Sequence, residues 1–64
     1  MGMKVRDVIK MIEKGGWVLD RTRGDHRQYV HTAKPGTVTV PGHPGDDMPP
    51  GTLNSVLKQA GLKK

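Results

Sequence analysis

The residues with the chemistry to do something sit together in Arg21-Thr22-Arg23-Gly24-Asp25-His26-Arg27-Gln28-Tyr29. His26 is the side chain there that can exchange a proton near neutral pH, and cationic residues flank it on both sides. That combination suits phosphodiester chemistry. An imidazole takes or gives the proton, while Arg21, Arg23 and Arg27 offer planar guanidinium groups that hold phosphate oxygens, with Gln28 as a further polar contact. Gly24 permits a tight turn just before the histidine. Asp25 is read first as a turn former and second as an orienting group for His26. The competing reading is a polar hairpin turn that happens to carry a histidine.

Whatever positions this stretch has to be small. Sixty-four residues make one domain, 1–64, and a domain of that size buries only about 60% of the surface its unfolded chain exposes, so any site is shallow. Eleven Lys and Arg against six Asp and Glu leave a formal charge of +5, which favours an anionic partner: nucleic acid, an acidic protein or a membrane surface. No apolar run is long enough to span a bilayer or to act as a signal peptide, which reduces the membrane option to surface contact. The chain has no cysteine. That excludes disulfides and thiolate sites and fits a cytoplasmic protein.

From about Lys4 to Lys14, Val5, Val8, Ile9 and Ile12 fall at i, i+3, i+4 and i+7, and Gly15-Gly16 follows as a stop, which predicts a first helix with Met1 and Met3 loose at its entrance. Trp17 to Arg21 is short and rich in strand formers. Its alternation puts Trp17, Leu19 and Arg21 on one side, taken as the core side. After the turn at Thr22–Asp25, a second strand is expected from His26 to Thr32. Burying Tyr29 places Arg27 and His31 on its side and sends His26 and Gln28 to the other, so His31 is expected to be structural. Lys34-Pro35-Gly36 has the signature of a type II turn, and Thr37–Val40 makes a third strand with Val38 and Val40 inward.

Pro41–Gly51 reads as an ordered crossing loop. His43, Asp46 and Asp47 in it hint at a metal, but the spacing is unconstrained and a turn is the better reading, so no metal or other cofactor is expected. Leu53, Val56, Leu57 and Ala60 then repeat the helical stripe, with Pro49 or Pro50 at its start and Gly61 past its end. The order helix, three strands joined by two tight turns, helix predicts an α+β fold: a two-layer α-β-β-β-α domain with a three-stranded antiparallel sheet and both helices on one face. Trp17 lies on the core parity, so packing is favoured over base stacking. The other face of the sheet stays wet and carries His26, Gln28 and Thr39 beside the arginine-bearing turn.

Several blocks in this order resemble the HicA toxins, the RNA-cleaving half of the HicA–HicB toxin–antitoxin pairs (YcfA-like proteins). They are Gly16-Trp17; Gly24-Asp25-His26-Arg27-Gln28-Tyr29; Val38-Thr39-Val40-Pro41; His43; and Gly51-Thr52-Leu53 followed by Leu57-Lys58-Gln59-Ala60-Gly61-Leu62. The resemblance covers nearly the whole chain. It implies a fold similar to double-stranded-RNA-binding domains, RNA cleavage with His26 as the catalytic residue, and a HicB-like antitoxin as partner. The chain is accordingly read as a metal-independent ribonuclease acting on mRNA, monomeric when free and cytoplasmic. Two departures stand out. Asp25 replaces the serine of many members, and Pro49-Pro50 replaces the more usual lysines before Gly51. A non-catalytic RNA-binding module of the same fold and a basic domain recognising only an acidic protein are the rival readings.

Overall fold

A computed structural model describes residues 3–62. In chain order the elements are β1 (Met3–Lys4), α1 (Val5–Lys14), β2 (Val18–Arg23), β3 (His26–Val30), β4 (Val38–Val40), β5 (Asp47–Met48) and α2 (Pro50–Gln59). Strands β2-β3-β4 form one antiparallel sheet and β1-β5 a separate two-stranded ladder. With two helices beside the three-stranded sheet, this is the α+β, α-β-β-β-α arrangement expected of a fold like that of double-stranded-RNA-binding domains.

The apolar stripe of α1 does what its spacing demands. Val5, Val8 and Ile12 are almost fully buried, and Ile9 packs at the edge of the same cluster. The N–H groups at the start of the helix, which have no partner inside it, are met by the 41–49 loop: Val5 donates to the Asp46 carbonyl (2.9 Å) and Arg6 to that of Pro44 (3.1 Å). At the other end Gly16 takes φ 99°. Its N–H reaches the Glu13 carbonyl and the N–H of Trp17 that of Ile12, the paired bonds that close a helix through a left-handed residue.

α2 begins on Pro50, whose missing N–H costs nothing in a first turn, and closes in the same way. Gly61 has φ 74°, and Leu62 N–H bonds the Leu57 carbonyl at 2.9 Å. Its stripe delivers Val56 and Ala60 to the core, with Leu53 against its margin. Those side chains meet Trp17, just before β2, and Tyr29, Val38 and Val40 from the sheet. Fully burying one aliphatic side chain of this size contributes about 1.5–3 kcal/mol, and the cluster is the main source of stability.

Trp17 joins the two layers. Its indole Nε1 donates to the Ala60 carbonyl at 3.2 Å, satisfying both a buried donor and a helix-end acceptor. The His31 ring stands edge-on to it at 5.3 Å. His31 Nδ1 accepts from Ala33 N–H at 2.9 Å, so the ring proton is on Nε2, which donates to the Gly15 carbonyl at 3.0 Å. His31 is structural, as its parity predicts.

Several expectations need correction. Leu19 is 51% exposed, as all of β2 is. The second strand ends at Val30 rather than Thr32, and residues 31–37 form a longer connection than a tight turn, with Gly36 at φ 90° in it. Within the 41–51 loop, β5 pairs with β1 through Met3↔Met48 and Lys4↔Asp47, and the Lys4 Nζ to Asp47 Oδ1 contact of 2.8 Å clips this ladder. Met3 is therefore paired rather than frayed; Met1 lies outside the described residues.

Candidate functional site: the β2–β3 hairpin

Arg23 ends β2 and His26 begins β3, leaving Gly24-Asp25 as a two-residue turn. Gly24 has φ 59°, and no described residue other than glycine has positive φ. Glycine first and a conventional residue second is the pattern of a type II′ hairpin turn, whose twist matches that of the strands it joins.

The register decides which side chains share a face. Arg23 pairs with His26, Thr22 with Arg27, Arg21 with Gln28, Leu19 with Tyr29 and Val18 with Val30, with a register shift between Leu19 and Arg21. Directly opposed residues project to the same side of a sheet. His26, Gln28, Arg21 and Arg23 therefore lie on one open face, joined by Thr39, which pairs with Gln28 from β4.

Simple alternation from Trp17 would place Arg21 on the core side, and that expectation is wrong. Asp20 is the extra residue of a bulge, and a bulge re-aims the side chains beyond it. The phase resets, so Trp17 and Leu19 keep the helix side while Arg21 and Arg23 turn outward beside His26. The signal was Asp20 itself, a poor strand former in the middle of a strand. Its Oδ2 lies 3.2 Å from Arg21 Nε, holding the guanidinium stem at the bulge.

Arg27 goes the other way. It is opposite Val40, on the helix-side face, and its Nη1 donates to the Gly42 carbonyl at 3.1 Å. The hairpin thus brings together His26, Arg21, Arg23 and Gln28 and leaves Arg27 as a strut under the 41–49 loop. Tyr29, next to it on that face, is 2% exposed. Burial, then the Glu13 carboxylate, push its phenol above the usual tyrosine range, with Arg27 pulling the other way. It stays neutral at physiological pH.

His26 is about half exposed, and its Nδ1 lies 3.9 Å from Asp25 Oδ1. That is beyond hydrogen-bond range, so Asp25 and His26 form a screened pair rather than a fixed dyad. In the 41–49 loop, His43 N–H donates to Asp46 Oδ2 at 3.2 Å and Asp46 N–H to the His43 carbonyl at 2.9 Å: a turn. Among the described residues, no three His, Asp or Glu side chains converge as a metal site would require. A hollow of about 240 Å³ lies between that loop and α2, lined by Val5, Gly42, Met48, Pro49 and Thr52 among others. None of the hairpin residues borders it, and Arg21, Arg23 and His26 are exposed on the sheet surface. That surface suits a polyanion laid across it.

A comparison with curated proteins finds no match. The profile of the family described as HicA toxin of bacterial toxin-antitoxin matches residues 5–62, a span running from the first residue of α1 to beyond the end of α2 and including the whole hairpin. The chain belongs to the HicA toxin family of bacterial toxin–antitoxin systems.

Proposed function

We propose that this toxin is a cytoplasmic, metal-independent endoribonuclease that cleaves mRNA at the open face of the β2–β3 hairpin. The observation that carries the proposal is the cross-strand pair Arg23↔His26, with Arg21↔Gln28 two residues further on the same face. A proton-transfer group thus stands among phosphate-binding groups on an exposed face.

In the reaction, Arg21 and Arg23 hold the phosphate and Gln28 adds a neutral hydrogen bond. His26 takes the proton of the ribose 2′-hydroxyl, whose oxygen attacks the adjacent phosphorus. The bond from phosphorus to the 5′ oxygen breaks, leaving a 2′,3′-cyclic phosphate, and the departing oxygen takes a proton from solvent. Negative charge growing on the phosphate oxygens is met by guanidinium groups already in place, which is where such sites gain most of their rate. Gly24 fixes the turn, and Asp25 completes it.

A toxin of this kind is held in check by an antitoxin, here HicB-like. The free toxin is monomeric, and the antitoxin acts by covering the open face. Purified toxin mixed with a defined RNA, with and without chelator, tests the reading: cleavage to cyclic-phosphate ends should proceed equally in both. Binding without cleavage would make the chain an RNA-binding module, and cleavage lost in chelator and restored by one divalent ion would require a metal mechanism.

A further inference from the structure

The two edges of the three-stranded sheet are treated differently. On β4, the N–H of Thr39 is taken by Gln59 Oε1 from α2 at 3.3 Å, and Gln59 is itself braced by Ser55 Oγ at 3.2 Å. That edge is closed. On β2, all six residues are exposed, and among the described residues no element pairs with its outer side. Arg23 and His26 flank a two-residue turn as its closing hydrogen-bonded pair, so the next pair, Thr22 with Arg27, is of the other kind, and the N–H and C=O of Thr22 point away from β3. Val18 and Leu19, 55% and 51% exposed, continue this edge as apolar surface.

We infer that β2 is a docking edge, and that its occupant is a short strand of the antitoxin in which acidic and apolar residues alternate. This rests on the reading of the open face given above. Acidic side chains would lie beside Arg21 and Arg23 on that face, and an apolar one beside Leu19 on the helix side. A second copy of this chain is a poorer occupant, since each carries a formal charge of +5. The bulge at Asp20 bends the edge and limits the added strand to a short one. Strands lie about 4.8 Å apart, so a strand added to β2 sits two spacings from β3, near enough for the protein attached to it to reach over His26.

The test is amide hydrogen exchange on the toxin alone and bound to the antitoxin encoded beside it. The Thr22 amide should exchange quickly in the free toxin and become protected in the complex. Thr22→Pro removes the outward donor at an edge position, where proline costs no ladder hydrogen bond, and should weaken antitoxin binding about tenfold while leaving RNA affinity and the thermal transition close to wild type. A Thr22 amide that exchanges freely in the complex overturns the inference, whatever the variant does. So does its protection in free toxin that sediments as a dimer, which would assign the edge to a second copy. RNA cleavage is read separately: its absence would sink the ribonuclease reading without touching the edge.

Discussion

Arg23 and His26 face each other across the Gly24-Asp25 turn, so strand pairing sets the relative place of the guanidinium and the imidazole. Backbone pairing at the closed end of a hairpin is among the better-determined geometries available to so small a domain. Both side chains remain at the surface.

His26→Ala should therefore separate chemistry from folding. RNA cleavage and growth inhibition should be lost, while a half-exposed side chain leaves Tm within about 4 °C of wild type. A folded, still toxic variant would remove His26 from the mechanism.

The arginines should divide by face. Arg21→Ala and Arg23→Ala should weaken RNA binding across sequences, each lowering the log–log salt slope by about 0.7 if it meets one phosphate of a single strand. Arg27 donates to the Gly42 carbonyl, so Arg27→Ala should lower Tm and leave the slope near wild type. Salt titrations of the three variants check the division; a reduced slope for Arg27→Ala alone would put the RNA on the other side.

This division marks how much of the site was legible in the sequence. The parity of β3 was readable because Tyr29 is the one large ring in it and had to be buried, which fixed His26 and Gln28 outward. The parity of β2 was not, because alternation counted from Trp17 runs through Asp20 and a bulge breaks the count. Both helices were readable from one stripe and a terminal glycine each. The β1–β5 ladder was not, since two-residue strands carry no periodicity, and Met3 and Met48 lie far apart in the chain. The 31–37 connection was misjudged because Pro35-Gly36 signals a turn but not how much chain surrounds it, and the His31 contact with the Gly15 carbonyl leaves no mark in local sequence.

Gly16 should tolerate no side chain. It combines φ +99° with a site where a Cβ would stand 2.5 Å from His31 Nε2. Gly16→Ala should cost about 1–3 kcal/mol from the backbone alone, a Tm loss of at least about 5 °C in a domain of this size, plus a steric part. Adding His31→Ala should recover the steric part only, measured as a non-additive double-mutant cycle. Additive losses would show that the ring had swung clear without cost.

Control by the antitoxin should be competitive. Among the described residues nothing folds over the hairpin: its turn is two residues long, and the 41–49 loop is tied down on α1 by Asp46 and Pro44. Closure is therefore expected from another protein. An acidic antitoxin would be drawn to a toxin of formal charge +5 and would compete for Arg21 and Arg23 with RNA. Antitoxin should displace labelled RNA completely, with an apparent affinity that weakens as RNA is raised, and His26 should be shielded from diethyl pyrocarbonate in the complex. A ternary assembly holding toxin, antitoxin and RNA with His26 still modifiable would show that inhibition works at a distance from the open face.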